Sequence, residues 1–254
     1  MDGETQAGAG KRDRAKAYAQ RYMKVPLSIR TSDLPKRAAS ALVMLAVAGG
    51  ALWAGDVWLK LFIGLVALAT YAELVRLVFR ATERSAGRVA GLLLGAAYVG
   101  FAALFLATMP RFYLYLVIGS VIFTDTFAYF SGRAIGGPKI APRISPSKTW
   151  AGLAGGMVGA ALFGWLLLQL VLPASGEWHM EVNAYPWSPI AALAIGAVLA
   201  CSAQAGDFLE SWLKRKAHMK DSSNLIPGHG GVFDRTDGIL PVAIAVGFLV
   251  PGLS

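Results

Sequence analysis

The chain has 254 residues and a net charge of +9; 56% of its residues are hydrophobic and only 15% are charged. A soluble domain carries roughly a quarter charged residues, so this composition excludes an ordinary water-soluble protein. The lone cysteine, Cys201, excludes an internal disulfide and a cysteine-ligated zinc site.

Residues 1–37 open the chain as a polar, basic segment without the apolar stretch of a signal peptide. Its portion Lys11–Lys24 suits either a solvated tail or a helix lying on anionic lipid. From residue 38 onward apolar runs dominate: Ala38–Trp53, Val57–Phe79, Val89–Met109, Phe112–Phe130, Trp150–Leu172, Pro189–Phe208 and Gly238–Leu253. Each approaches the ~20 residues that carry a helix across the hydrocarbon core, the first and last being short. Backbone in lipid must satisfy its own hydrogen bonds. Residues 38–254 are therefore expected to form one all-α membrane domain, a polytopic transmembrane bundle of about seven spanning helices.

Charge supplies the orientation. With the N-terminus in the cytoplasm, every Lys and Arg except Lys60 and Arg111 falls on the cytoplasmic side. The loop Pro173–Ser188 carries two glutamates and no Lys or Arg. This is the positive-inside pattern of a bacterial cytoplasmic (inner) membrane protein, and it accounts for the positive charge with no nucleic-acid partner. Trp53, Trp58, Trp178 and Trp187 then mark the outer interface, Trp150 and Trp212 the inner one, and an odd number of spans places the C-terminal end outside. The fifth run opens with Gly152, Gly156 and Ala160 at four-residue spacing. Such a face admits another helix closely, within the chain or across a homodimer.

Three polar features interrupt the apolar background. The first is Asp125, a carboxylate inside the fourth run and about 8 Å from its end at Phe130, a costly placement unless it lines a polar cavity or is paired. The second, Ser131–Thr149, combines glycines with Arg133, Lys139, Arg143 and Lys148, and adds the hydroxyls of Ser145 and Ser147 before the fifth helix. It has the makings of a phosphate cradle, although basic loops also follow from topology alone.

The third is the segment Asp207–Asp237. If the sixth helix continues past Phe208, Asp207, Glu210, Ser211 and Lys214 share one face. Asp221, Asp234 and Asp237 follow, with Lys220, Arg215 and Arg235 among them. Hard carboxylate oxygens with few His and no Cys suit Mg²⁺ rather than zinc. The turn Pro227-Gly-His-Gly-Gly231 offers a backbone able to approach a phosphate, through Gly230 and Gly231.

The stretch Ser211-x-Leu-Lys-Arg-x₄-Lys-Asp-x-Ser-x₂-Ile-Pro-x-His-Gly-Gly-Val-x-Asp-Arg-Thr-Asp237 resembles, without departure, the signature of the phosphatidate cytidylyltransferases, or CDP-diacylglycerol synthases. Asp125-Thr-Phe-Ala-Tyr-Phe130, Ile144-Ser-Pro-Ser-Lys-Thr-Trp150 and Asp33-Leu-Pro-Lys-Arg37 resemble that family too; the stretch between the second and fourth runs is shorter than in many members. The resemblance implies that CTP and phosphatidate react to give CDP-diacylglycerol and pyrophosphate, with Mg²⁺ required and membrane lipids as surroundings. On the residues of this chain, Asp207 and Asp234 are the first choice of metal ligands, then Asp221 and Asp237. Lys148, Lys214, Arg215, Lys220 and Arg235 are expected to hold phosphates, with Ser145, Ser211, Gly230 and Gly231 around them. His229 is expected to protonate or hydrogen-bond pyrophosphate. Two other functions fit the topology: a CTP-dependent lipid kinase of the polyprenol or phytol type, whose product keeps no nucleotide, and a transporter, which releases no pyrophosphate.

Overall fold

The apolar runs become helices, most of them extended past the run at one or both ends. The computed structural model describes residues 34–174 and 189–249. The basic stretch Lys11–Lys24, Asp33, the loop with Trp178 and Trp187, and residues 250–254 lie outside them, as does the side on which the C-terminal end falls. In chain order the elements are α1 (Leu34–Ala54), α2 (Asp56–Ala81), α3 (Ser85–Thr108), α4 (Arg111–Ala134), β1 (Lys139–Ala141), β2 (Ser145–Thr149), α5 (Trp150–Ala174), α6 (Pro189–Lys216), α7 (Phe233–Thr236) and α8 (Ile239–Leu249).

Among the described residues, the six helices α1–α6 are long and apolar enough to cross a membrane. Their outward side chains, such as Leu42, Leu45, Leu65, Leu68, Leu93 and Leu94, are each about two-thirds exposed. A patch of that extent is a liability in water and the ordinary surface of a protein solvated by acyl chains. The chain is an integral membrane protein.

The seventh run behaves differently from its six predecessors. The first run, though short, extends to 21 residues, whereas α8 has 11. At 1.5 Å per residue α8 covers about 16 Å, roughly half a hydrocarbon core. Leu240, Val242, Ala243, Val246 and Gly247 are buried on several sides of it, the mark of a helix enclosed by protein. It packs on α6, α3 and α4. Six long apolar helices and the shorter α8 among the described residues are compatible with the expected bundle of about seven.

Glycines set the closest helix contacts. Gly152, Gly155 and Gly159 of α5 face the carbonyls of Ala128, Phe127 and Phe123 of α4, so closely that an added Cβ would lie 3.0, 3.0 and 2.7 Å from those oxygens. This is the small-residue face of the fifth run. It is filled by α4 of the same chain, so the homodimer alternative loses the face on which it rested.

Charge is distributed as the sequence suggests. Asp56, at the first turn of α2, pairs with Lys60 at 3.6 Å and Arg111 at 3.8 Å, the two basic residues sorted to the other end. Both pairs are exposed and add little stability, but they offset the positive charge at that end. Among the described residues, the polar segments 131–149 and 217–237 gather at the opposite, basic end of the bundle. There the stretch 131–149 is less irregular than expected: α4 runs on to Ala134, then β1 and β2 form an antiparallel hairpin pairing Lys139 with Thr149 and Ala141 with Ser145.

Candidate active site

α6 continues to Lys216, eight residues past the end of its apolar run, and this extension organises the site. It carries Asp207, Glu210 and Lys214 on one face, as the i, i+3, i+7 spacing requires. Gly206 explains how the next element reaches them. A Cβ there would collide with the carbonyl oxygen of Asp237; without one, the end of α7 lies against α6 and brings Asp234 and Asp237 beside its acidic face.

Two clusters result, and they differ in how their charges are engaged. In the first, Lys214 Nζ bridges Glu210 at 2.6 Å and Asp234 Oδ1 at 2.7 Å. The other oxygen of Asp234 accepts the Ser222 N–H at 2.9 Å, the Ser222 hydroxyl at 2.9 Å and the Gly231 N–H at 2.7 Å. Burial disfavours ionisation of Asp234. The hydrogen bonds with Glu210, Lys214 and Gly231, together with the Lys214 charge, outweigh it and hold this carboxyl below the usual range.

In the second cluster, Lys148 from β2 reaches Asp207. Asp237 sits beside Asp207 with too few cations for both. Burial, then the Asp207 charge and a hydrogen bond to it, then the Glu210 charge push the Asp237 carboxyl up to about 9, against the pull of the Gly238 N–H. Lys148 also lines a cavity of about 530 Å³ between α4, the hairpin, α5 and α6, with Asp125, Tyr129, Arg133, Lys139 and Gln204. The sequence reading of Asp125 as a cavity-lining acid agrees with this position. Its depth does not, since α4 extends nine residues beyond it.

The four aspartates named from sequence as metal ligands do not form one cage. Among the described residues no three His, Cys, Asp or Glu side chains converge as a ready-made metal site. Asp221 is exposed on the loop. One oxygen of Asp234 is saturated by three donors and the other by Lys214, so Asp234 is the less available ligand despite being ranked with Asp207. Asp207 and Asp237 are the pair whose mutual repulsion a hard cation would relieve. Glu210 beside them keeps a buried oxygen with no hydrogen-bond partner among the described residues. A donor set of this kind fits Mg²⁺, which takes one or two carboxylates and leaves its other positions to water and phosphate.

The remaining expectations fare unevenly. Lys220 and Arg215 are exposed at the rim, Arg215 reaching the Ile144 carbonyl at 3.5 Å. Arg235 folds back to donate to the His229 carbonyl at 3.1 and 2.8 Å. Ser145 is buried under the hairpin, whereas Ser147 lines the cavity. Ser211 lies half-buried on α6. His229 Nδ1 is 2.8 Å from the Ser40 hydroxyl of α1. Gly230 and Gly231 serve the protein's own carboxylates: Gly230 has φ of 83°, with Asp234 Oδ2 2.7 Å from where its Cβ would stand. At Gly231 a Cβ would run into Ser222 Oγ and Glu73 Oε2.

Glu73 escaped the sequence reading. It is 6% exposed on α2 and binds the signature loop. The signal that singled out Asp125, a carboxylate within an apolar run, was equally present in Val57–Phe79.

Fold and site together describe a helical integral membrane protein with a carboxylate- and lysine-lined polar site at the basic end of its bundle. Residues 92–251 match the cytidylyltransferase family, and the chain belongs to that family. It is 42% identical over 158 residues to the phosphatidate cytidylyltransferase of Brucella abortus biovar 1 (strain 9-941), covering 59% of this chain and 53% of that protein. Likewise, it is 42% identical over 125 residues to that of Rickettsia felis, covering 49% and 52%. With that of Rickettsia prowazekii it shares 44% identity over 119 residues, covering 47% and 50%. The chain spans about half the length of the curated relatives it matches.

Proposed function

We propose that the chain transfers a cytidylyl group from CTP to phosphatidate, giving CDP-diacylglycerol and pyrophosphate, at the cytoplasmic face of a bacterial inner membrane. One observation carries the reading. The Asp207–Asp237 pair, at the end of a membrane helix, adjoins a lysine-lined polar cavity, in a chain of the cytidylyltransferase family whose named relatives act on phosphatidate. The lipid substrate is confined to the membrane and the nucleotide to water, so the chemistry belongs at such a border. The basic end of the bundle is the cytoplasmic end by the positive-inside rule.

In the reaction a phosphate oxygen of phosphatidate forms a bond to the α-phosphorus of CTP, and the α–β P–O bond breaks to release pyrophosphate. No covalent enzyme intermediate is needed; positioning and charge neutralisation suffice. Asp207 and Asp237 are the residues that would hold Mg²⁺, with Asp234 behind them, and the ion when bound neutralises charge developing on the phosphates. Lys148, Arg133 and Lys139 line the cavity and bind phosphate oxygens. Lys214 is committed to Glu210 and Asp234, so its role is to keep the acidic wall in place. With its Nδ1 turned to Ser40, His229 has Nε2 available to a departing phosphate.

The test uses the purified full chain with phosphatidate, Mg²⁺ and CTP labelled at either the α or the γ phosphorus. Label from the α position is expected in the lipid, with unlabelled lipid and labelled pyrophosphate from the γ position. Transfer of the γ label alone overturns the proposal in favour of a lipid kinase. Chelation of Mg²⁺ is expected to abolish turnover and its readdition to restore it.

A further inference from the structure

We infer that Glu73 is a positioning residue for this site: from α2 it fixes the signature loop and the start of α7, and through them Asp234. Its position in the molecule makes this unexpected. The family match begins at residue 92, so Glu73 belongs to a part of the chain that the match does not include.

The geometry is unusually complete for one side chain. Glu73 Oε1 accepts the Ser223 hydroxyl at 2.5 Å and the Val232 N–H at 3.0 Å. Oε2 accepts the Ser222 hydroxyl at 2.9 Å and the Phe233 N–H at 2.7 Å. Three donors from both ends of the loop, and a Ser222 hydroxyl shared with Asp234, therefore converge on one carboxylate. One turn earlier on the same helix face, Thr70 Oγ1 lies 3.2 Å from Thr236 Oγ1, a second fastening between α2 and α7. The Ser222 hydroxyl stands 2.9 Å from both Glu73 Oε2 and Asp234 Oδ2, so it links the two carboxylates directly.

Only a carboxylate can do this. Two of its partners are backbone N–H groups, which cannot turn to become acceptors. A glutamine of equal length offers one oxygen and one NH₂, and the NH₂ must face a backbone donor. Aspartate is a methylene too short to reach both sides. A buried carboxylate in a membrane helix is costly, and simple capping of a four-residue helix needs only a neutral oxygen. What the carboxylate adds is simultaneous grip on Ser222, Ser223 and the first amides of α7. Gly231 completes the arrangement, because any side chain there occupies the space of Glu73 Oε2.

This inference rests on the proposed cytidylyl transfer for its kinetic arm alone. In that arm, Glu73→Gln in the purified full chain is expected to raise the half-saturating CTP and Mg²⁺ concentrations by about tenfold or more per folded molecule, as loss of site geometry does. A residue that only stabilises the fold would lower the yield and leave those constants unchanged. The second arm is amide hydrogen exchange, which needs no activity. Peptides covering residues 221–236 are expected to exchange at least tenfold faster in Glu73→Gln, with α4 and α5 unaltered. If Glu73→Gln does not fold, Ser223→Ala removes one donor to Glu73 and is expected to produce about a threefold change in the same direction in both arms. Glu83→Gln, an exposed acid just past α2, serves as the control. Unchanged CTP and Mg²⁺ constants with unchanged exchange in a folded variant overturn the inference. An inactive wild type sinks the cytidylyl-transfer reading instead, and the exchange arm still decides Glu73.

Discussion

The two polar loops at the basic end of the bundle each carry three glycines and several hydroxyls, and they are opposite in construction. In 131–149, the hairpin directs Lys139, Ser147 and Lys148 into an open cavity, and among these groups only Lys148 has an ion-pair partner, Asp207. In 217–237, Asp234, Ser222 and Ser223 are all tied to one another or to Glu73 and Lys214. A loop rich in Gly and hydroxyls can thus be either a ligand surface or an internal scaffold. Their glycines and hydroxyls do not distinguish them; what decides is whether buried acceptors stand opposite the donors.

The largest expected effect separates the two constructions. Asp207→Asn is expected to cost 10²-fold or more in CDP-diacylglycerol formation, as removal of a principal electrostatic stabiliser does. Its thermal stability should fall less than that of Asp234→Asn, since only the Lys148 pair and the Asp237 hydrogen bond depend on the Asp207 charge. Asp234→Asn is expected to lose a similar factor in rate together with about 1–3 kcal/mol of stability, because an acceptor held by three donors becomes partly a donor. Equal stability losses in the two variants would erase the distinction. Rate and thermal unfolding in detergent, measured on the same samples, make the comparison.

Next comes Gly231→Ala. The added methyl meets Ser222 Oγ and Glu73 Oε2, and overpacking of this kind costs about 1–3 kcal/mol. Thermal unfolding is expected to shift down accordingly. Gly137→Ala is the counterpart in the turn between α4 and β1: open space surrounds it, and only its positive φ of 92° carries a penalty.

A pH dependence follows from Asp237. Its folded value, about 9, lies above the ordinary carboxylate value. The folded state therefore holds a proton that the unfolded chain releases, and this group's stabilising effect is greatest in acid and lost as pH rises through 9. Asp234 has the opposite sign, its lowered value contributing stability that disappears as pH falls below the ordinary carboxylate range. Without added divalent cation, unfolding temperature is expected to decline from about pH 5 to about pH 9. Asp237→Asn should flatten that decline, and a slope unchanged in the variant would assign it elsewhere.

The smallest effect expected is that of Ser147→Ala, about threefold on the half-saturating CTP concentration, the loss of one exposed hydrogen bond to a phosphate. Enzyme assays over a CTP range measure it; an effect as large as that of Asp207→Asn would mean that the hairpin does more than line the cavity.

Much of the molecule was legible from the residues alone. Apolar runs near bilayer length identified the six spans, because lipid permits few other ways to satisfy a backbone. The i, i+3, i+7 spacing put Asp207, Glu210 and Lys214 on one face, since helical periodicity is local. The apolar run Gly238–Leu253 announced a helix, α8, but not its packing on α3, α4 and α6, because apolarity does not record whether the neighbour is lipid or protein. Asp234 ranked as a metal ligand because its type and motif fitted, while the donors that occupy it come from Ser222, Gly231 and Lys214. Glu73 was visible as an acid in an apolar run, but its partners lie some 150 residues away. Pairings across that separation depend on how α2 and α7 pack, and only the tertiary structure decides them.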